Sequence, residues 1–374
     1  MRTHYRNLLL FLCRKADLSF FMKNIPDNIT IKEIAHLAGV SAGTVDRVLH
    51  HRGKVSIKNL EKINAVLETV NYTPNIIASA LASHKKYRLA AVIPASQQGE
   101  YWYSVAQGID AAMVEFGQFG IELEKVFFDQ YNSQSMENVN TVFSSEMYDG
   151  VILAVLFKEE FSKLADELSE KNIPFVFMDF NLPARQQLTF FGTDSVSGGR
   201  LSARMMLSLV DVNDDILIVL LNAKSGLRSN QSLNRENGFL EHLEQKKFQG
   251  KIHRVNLEYV DKAQNDAVLD DFFSYHQVKG VIVFNSTCHI VAHYFQEKGI
   301  KNIALVGYDG IDKNIQMMKE GVVDVLIAQR PYYQGYESAK SLCNYLLRKT
   351  LPAPENYIPL DILVRENVDF YNMQ

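Results

Sequence analysis

The chain has 374 residues, of which 47% are hydrophobic, 22% charged and 11% aromatic, and its formal net charge is −4. This length is too great for one compact domain and suits two or three, and the composition excludes a disordered or a collagen-like chain. The charge is unevenly distributed: the first 88 residues carry 14 basic and 6 acidic side chains, whereas the remainder has a net charge of −12. A basic N-terminal segment followed by an acidic body indicates a nucleic-acid partner for the basic segment.

Residues 1–28 are interpreted as a variable leader, with Met22 as a second candidate start. The run Leu8–Leu12 before Cys13 faintly resembles a lipoprotein signal, but it is shorter than the roughly 7–15 apolar residues expected, and Arg14 follows directly. The three cysteines lie far apart without a CxxC pair, which predicts neither a disulfide framework nor a metal site. No apolar run approaches the roughly 18 residues that span a bilayer, so we expect a cytoplasmic protein with no membrane partner.

Residues 29–75 have the pattern of three short helices. Thr30 and Glu33 are spaced as a capping box, and Gly39 is placed to end the first helix. Ser41 and Ser56 are candidate caps of the second and third helices, and Pro74 is placed to end the third. The predicted apolar faces consist of Ile31, Ile34, Ala35 and Ala38, then Val45, Val48 and Leu49, then Leu60, Ile63, Leu67 and Val70. Two short helices joined by a tight turn indicate a helix-turn-helix, and a plain helical bundle with solvated lysines is the alternative.

Five motifs in this segment resemble the head of the lac repressor (LacI/GalR) family: ITIKEIA at 29–35, AGVS at 38–41, TVDRVL at 44–49, VS at 55–56 and NYTPN at 71–75. The resemblance implies a dimeric, operator-binding transcription regulator. It implies base contacts from Ala42, Gly43 and Arg47 and phosphate contacts from Ser41 and Thr44. The family usually has Ser at position 46, whereas this chain has Asp46, whose carboxylate repels phosphate but can accept a hydrogen bond from a cytosine amino group.

Residues 76–87 resemble the hinge helix and linker of the same family. The resemblance implies that this helix orders only on DNA and that Leu81 wedges into the minor groove, where such wedges kink the duplex. Ser79 stands where the family frequently has Arg. The alternative for Leu81 is an ordinary apolar helix residue.

From residue 88 onwards the sequence predicts an α/β body that contains an internal repeat. The apolar runs 89–94 and 216–221 have the composition of buried parallel strands. At a constant shift of 130 residues, DGVIL at 149–153 recurs as KGVIV at 279–283, and KNI at 171–173 before Asp179 recurs at 301–303 before Asp309. Two copies of one unit predict two lobes with parallel sheets and helices on both faces. One strand-end aspartate should then lie on each side of a cleft.

The body resembles a type I periplasmic sugar-binding protein of the ribose-binding branch, on GYDG at 307–310, IAQ at 327–329 with QG at 334–335, and RENGF at 235–239. The resemblance implies a ligand site in the cleft made by Tyr101, Trp102, Asp179, Arg235, Asn285, Asp309 and Gln329. Such side chains supply paired donors and acceptors for hydroxyls and an aromatic surface for a sugar's apolar face. Val155 and Leu156 are apolar where some sugar binders place polar ligands, which leaves room for a modified sugar or another small polar molecule.

Alternatives remain open for each of these residues, because a strand-end aspartate often caps a helix, Arg235 could form a surface ion pair and Trp102 could belong to the core. The resemblance also implies that the chain crosses between lobes three times, near Gly192, Gln329 and Pro352. The first lobe would then comprise about 88–191 and 331–350, and the second about 192–329 and 352–374.

The sequence contains no GxSxG, P-loop or HExxH motif, and His50 and His51 are interpreted as a solvated loop beside DNA. The leading hypothesis is therefore a regulator that is not an enzyme and needs no cofactor or metal. It would bind a double-stranded DNA operator as a homodimer and sense a small polar molecule, for which a carbohydrate is expected. The alternatives are a solute receptor for sugar uptake and a regulator whose cleft responds to a partner protein.

Overall fold

A computed structural model of the chain describes residues 29–49, 53–70, 85–182, 185–222, 229–259 and 261–371. These residues fall into two compact units, a helical head and a larger body, with the boundary between residues 83 and 84. The expected hinge over 76–84, with Leu81, lies outside the described residues. Among those described, no helix is long and apolar enough to cross a membrane.

The head consists of α1 (Ile31–Ala38), α2 (Ala42–Leu49) and α3 (Ile57–Val70). The predicted capping box is confirmed, since Thr30 Oγ1 accepts from the Glu33 amide (3.3 Å) and a Glu33 carboxylate oxygen accepts from the Thr30 amide (2.7 Å). Gly39 ends α1 at φ 63°, a conformation that costs glycine little, and this produces the tight turn. Ser41 Oγ then accepts from the Thr44 amide (3.2 Å) and so caps α2 as predicted.

The three helices meet in a small apolar core. Its buried members are Ile34, Ala35, Ala38, Val45, Val48 and Ile63. Leu60 was predicted to share the buried face of α3, but it is 39% exposed and lies outside this core. The reason is that α3 packs through its middle, by Ile63, Val66 and Leu67, whereas Leu60 lies in its first turn. So few buried side chains give a unit of limited stability.

The body is built on two sheets whose strands follow the same order. The first sheet runs β2-β1-β3-β4-β5-β11, with β1 (Tyr87–Pro94), β2 (Ile121–Phe128), β3 (Gly150–Ala154), β4 (Phe175–Asp179), β5 (Thr189–Gly192) and β11 (Glu355–Tyr357). The second runs β7-β6-β8-β9-β10-β12, with β6 (Ile216–Asn222), β7 (Ile252–Glu258), β8 (Gly280–Val283), β9 (Ala304–Tyr308), β10 (Val325–Ala328) and β12 (Asp361–Leu363). All neighbouring strands are parallel except β10 and β12. The predicted internal repeat is confirmed by this identical order.

Helices cover both faces of each sheet. The first lobe carries α4 (Tyr101–Phe116), α5 (Met136–Ser145), α6 (Lys158–Glu170) and α12 (Pro331–Arg348), and the second carries α7 (Ser195–Met206), α8 (Asn230–Gln245), α9 (Lys262–Tyr275), α10 (His289–Lys298) and α11 (Asp312–Lys319). Alternate residues of β1 belong to different apolar clusters: Leu89 and Ala91 pack with α4 and α12, whereas Ala90 and Val92 pack with α5 and α6. Strands buried on both faces explain why these segments read as continuous apolar runs.

The chain passes from the first lobe to the second after β5, returns between β10 and α12, and crosses again between β11 and β12. The third passage therefore lies between Tyr357 and Asp361, and the expectation of a crossing near Pro352 is wrong. Residues Glu355–Tyr357 pair with Phe190–Gly192 and belong to the first lobe. Tyr87, expected in the linker, pairs with Ile121 and already belongs to β1.

Candidate ligand-binding and DNA-binding sites

Two aspartates occupy the same place in the two lobes. Asp179 is the last residue of β4 and Asp309 follows β9 directly. Both have a positive φ, 74° and 64° respectively, so the backbone turns sharply at the end of each of these two strands. Both side chains are buried, at 9% and 3% exposure. A left-handed conformation is costly for a residue other than glycine, and two such residues at equivalent strand ends indicate a functional site.

Asp309 is held by neighbours from its own lobe. One carboxylate oxygen accepts from Ser286 Oγ (2.7 Å) and the other accepts from Gln329 Nε2 (3.0 Å). The Gln329 oxygen in turn accepts from Thr193 Oγ1 (3.0 Å). The buried amide of Asn314 donates to the backbone oxygens of Tyr308, Ser286 and Asp309 and so fixes the strand end. The structure thus brings Asp309 and Gln329, both predicted site residues, into direct contact.

Arg235 is buried on α8 and oriented by three groups. Its guanidinium donates to the backbone oxygen of Phe284 (2.8 Å) and to the side-chain oxygen of Gln231, and it lies 4.2 Å from the ring centre of Tyr308. Gln231 Nε2 donates to the backbone oxygen of Asp179 (2.8 Å), which belongs to the opposite lobe. Arg235 is therefore buried and bonded to a main-chain oxygen and a side-chain amide, and it does not form a surface ion pair.

Burial is the main influence on the ionisation of Asp179 and raises its pKa to about 7. The positive charge of Arg235 opposes this increase, whereas the negative charge of Asp309 adds to it. Since both neighbours come from the second lobe, their effects place Asp179, Arg235 and Asp309 in one electrostatic environment. A carboxyl group with a pKa near neutrality in a cleft is typical of functional sites.

Tyr101 and Trp102 begin α4, and both are 6% exposed, with their rings edge to face at a centroid distance of 5.1 Å. The Tyr101 hydroxyl donates to Gln334 Oε1 (3.1 Å). Burial, followed by the negative charges of Asp179 and Asp309, raises the pKa of Tyr101 well above its ordinary value, so this phenol stays protonated. Trp102 packs in the apolar cluster of the first lobe, and that cluster includes Ile311 of the second lobe.

Asn285 follows β8, and its amide orientation is fixed on both sides. Its Nδ2 donates to the hydroxyl of Tyr259 (3.0 Å), while its oxygen accepts from the amide of Thr287 (3.2 Å). Tyr259 in turn packs against Tyr131 of the first lobe, with ring centroids 4.1 Å apart. Asn285 is therefore linked, through Tyr259, to the opposite side of the cleft.

Sequence reasoning missed several residues that shape this region, namely Tyr131, Gln231, Tyr259, Ser286 and Asn314. Gln231 lies four residues before Arg235, so helical spacing places them on one face of α8 and could have identified it. Ser286 directly follows the predicted Asn285. The two tyrosines follow β2 and β7, matching strands of the repeat, but only the fold reveals that they meet.

In the head, the predicted DNA-contacting residues lie at the start and on one side of α2. Val45 and Val48 face the core, whereas Gly43 and Arg47 are exposed. The hydroxyls of Ser41 and Thr44 are 2.8 Å apart in the first turn. A Cβ at Gly43 would contact only Ser41 Oγ, at 4.0 Å, so nothing in the head itself requires a glycine there. Ala42 and Asp46 are partly buried.

Family models match both units. Residues 30–75 match the model described as bacterial regulatory proteins of the lacI family, and residues 90–350 match the periplasmic binding protein domain. The molecule therefore combines the head of a DNA-binding regulator with a periplasmic-binding-protein body. The ribose operon repressor of Bacillus subtilis (strain 168) is 26% identical over 341 residues, which is 90% of this chain and 98% of the repressor.

Solved structures agree with this assignment. A crystal structure assigned to the LacI transcriptional regulators, from Bacteroides fragilis, is 34% identical with a TM-score of 0.73 and covers 77% of this chain and 100% of its own. GanP, a glucose-galactose binding protein from Geobacillus stearothermophilus, is 21% identical with a TM-score of 0.65 over 76% of this chain and 99% of its own, and shares the fold of the body. The chain belongs to the lacI family of bacterial regulatory proteins, which are DNA-binding transcription regulators and not enzymes.

Proposed function

We propose that this regulator binds its operator as a homodimer and is controlled by a sugar, or a closely related polar molecule, bound between the two lobes. The observation that carries the proposal is the convergence of Asp179 and Asp309, at equivalent strand ends of the two lobes, with Arg235 of α8, which is hydrogen-bonded through Gln231 to Asp179. Asn285 and Gln329 lie at neighbouring strand ends of the second lobe. Carboxylate, guanidinium and amide groups match the hydroxyls of a sugar, and Tyr101 and Trp102 supply aromatic surface.

The proposed organisation is a leader (1–28), a helix-turn-helix domain (29–75), a hinge with Leu81 (76–86) and a ligand-binding domain (87–374). Ligand closes the cleft and changes how the first lobes pair across the dimer. This change alters whether the hinge helices order on DNA. Ligand and operator affinities are then coupled reciprocally, by about 1–3 kcal/mol in typical cases. Because a regulator that binds operator DNA acts where that DNA lies, we place the protein in the cytoplasm.

A solute receptor for sugar uptake is the alternative built on the same body. The helix-turn-helix head, which matches the lacI family over residues 30–75, favours the regulator, because a receptor for uptake has no use for a DNA-binding unit. Recovery of the native protein from the periplasm after cell fractionation would support the receptor instead.

The ligand proposal is tested by titrating the full-length protein with pentoses and hexoses, beginning with D-ribose. Trp102 is the only tryptophan, so a binding sugar is expected to change its fluorescence. Asp309→Asn replaces an acceptor-only carboxylate by an amide and should weaken binding by about 10- to 100-fold, the value of a charged hydrogen bond. Asp110→Asn, on the exposed side of α4, is the matched control and should bind normally. Tight calorimetric binding that Asp309→Asn leaves unchanged would place the ligand elsewhere.

The DNA-binding proposal is tested on operators selected by the wild-type protein from random-sequence duplexes. Arg47→Ala should weaken binding by about 1–3 kcal/mol and relax specificity at one base pair, because a bidentate contact to a base edge is lost. Lys32→Ala, an exposed cation on α1, should weaken binding to all sequences alike and lessen its salt dependence. If both variants weaken all sequences equally, Arg47 does not read a base.

A further inference from the structure

The two lobes are joined across the cleft by contacts between protein atoms. Gln231 Nε2 donates to the backbone oxygen of Asp179 (2.8 Å), and the amide of Asp312 donates to the backbone oxygen of Gly99 (3.3 Å). At a third place the rings of Tyr131 and Tyr259 lie 4.1 Å apart between centroids, inclined by 40°. Because these contacts are made by the chain itself, the closed arrangement draws stabilisation from the protein's own residues.

The loop that carries Tyr131 is fixed by hydrogen bonds. It follows β2, and Asp129 Oδ1 accepts from the amide of Tyr131 (2.8 Å) in a local turn. Ser135 Oγ accepts from the amide of Asp129 (2.9 Å) and donates to the backbone oxygen of Asn132 (2.6 Å). The backbone from which the Tyr131 ring extends is therefore held in place, which lowers the entropic cost of the contact.

Tyr259 is held equally firmly in the second lobe. The buried side chain of Asn265 makes two hydrogen bonds to the backbone of the preceding residue, Glu258. Its oxygen accepts from the Glu258 amide (2.8 Å), and its Nδ2 donates to the Glu258 backbone oxygen (2.6 Å). Tyr259 also packs partly against the apolar cluster of its lobe. Its hydroxyl accepts from Asn285 Nδ2, so the residue that meets Tyr131 also orients a member of the proposed ligand site.

We propose that Tyr131 and Tyr259 form an aromatic clamp that favours the closed cleft by the protein's own contacts, with Tyr131 acting through Tyr259 as a positioning residue for Asn285. The clamp's role in ligand binding rests on the proposed function, but its effect on closure does not. Aromatic pairs of this kind contribute beyond their buried area by an amount equal to about a two- to tenfold change in an equilibrium constant. The clamp therefore determines how much of the free energy for closing the cleft must come from ligand binding.

The test uses the full-length protein without added ligand. Trp102 is buried in a cluster that includes Ile311 of the opposite lobe, so opening of the cleft should expose it to water. Tyr131→Ala is expected to shift the Trp102 emission to longer wavelength and to raise its quenching by acrylamide at least twofold. Tyr131→Phe, which keeps the ring, should behave as wild type. Tyr333→Ala, another half-exposed tyrosine of the first lobe, is the matched control and should also behave as wild type.

Folding of each variant is followed by circular dichroism and by its urea midpoint. Since Tyr131 is 37% exposed, Tyr131→Ala should fold, and Tyr131→Leu serves as a second variant without an aromatic ring. Folded Tyr131→Ala and Tyr131→Leu proteins with wild-type emission and quenching would overturn the clamp.

A second measurement addresses positioning. For whichever pentose or hexose binds the wild-type protein, Tyr259→Phe keeps the ring pair but removes the hydroxyl that orients Asn285. It should weaken binding by about tenfold, the value of one hydrogen bond, without changing the ligand-free quenching. Unchanged affinity would refute the positioning role. If no sugar binds the wild type while Tyr131→Ala still opens the cleft, the proposed ligand class fails and the clamp stands.

Discussion

Gly108→Ala is expected to destabilise the body by about 3 kcal/mol or more, at the upper end of the cost of overpacking a core. Gly108 lies on α4 where this helix crosses α12, and a Cβ there would be 2.0 Å from the backbone oxygen of Tyr332. Gly335, on the facing helix, has the same constraint against the oxygen of Val105, at 2.2 Å. The obstacle is main chain on both sides, so no rotamer change relieves it and the helices must move apart.

Urea unfolding followed by Trp102 fluorescence measures this effect. Gly117→Ala is the control, because Gly117 ends the same helix with nothing within 4 Å of its virtual Cβ. That variant should stay within about 1 kcal/mol of wild type, since alanine has the higher helix propensity. Equal urea midpoints for Gly108→Ala and wild type would show that α4 and α12 can separate at little cost.

The second lobe has the same arrangement at the crossing of α7 and α8. A Cβ at Gly199 would be 2.0 Å from the oxygen of Arg235, and a Cβ at Gly238 would be 2.0 Å from the oxygen of Val196. The repeat therefore duplicates a close helix crossing as well as a sheet. In the second lobe this crossing involves α8, which carries Gln231 and Arg235. The position of these two residues in the proposed ligand site therefore depends on the close packing of α7 against α8.

The local parts of the fold could be predicted from the sequence because their signals are local. The capping box at Thr30, the turn at Gly39 and the cap at Ser41 depend on neighbours within four residues, and all three are confirmed. The strands of the body are buried on both faces and therefore read as apolar runs. The repeated motif that ends in Asp179 and again in Asp309 predicted one candidate residue in each lobe. In the structure the negative charge of Asp309 contributes to the raised pKa of Asp179.

The parts that could not be predicted depend on contacts between distant segments. Residues 355–357 form an edge strand of three mostly exposed residues with no apolar run, so nothing in the sequence marked them as part of the first sheet. The meeting of Tyr131 with Tyr259 requires the relative placement of two lobes, which hydrophobic periodicity does not encode. No pattern in the sequence indicates a role for Gly199, whereas the structure shows that it permits a close helix crossing.

Asp179 is expected to make the stability of the body fall as the pH rises towards neutrality. Its pKa is about 7 in the folded protein, against an ordinary value of 3.8, mainly because burial disfavours the charged form. Between about pH 4 and 7 the folded state therefore still holds a proton that the unfolded chain has already released. The resulting stabilisation is complete below pH 4 and is lost as the pH rises through 7, a change of about 4 kcal/mol over the whole window.

Asp179→Asn removes this titration, so the difference in unfolding free energy between wild type and variant isolates it from all other groups. Between pH 5.5 and pH 8, wild type should lose about 2 kcal/mol relative to Asp179→Asn, measured by urea unfolding. A difference that stays constant with pH would show that the carboxyl is ionised throughout. The same group connects stability to function, because an ionised carboxylate accepts hydrogen bonds from sugar hydroxyls more strongly, and on more sites, than a protonated carboxyl does. Ligand affinity of the wild type should therefore rise through pH 7, where the folded protein gives up this proton, and the rise should be absent in Asp179→Asn.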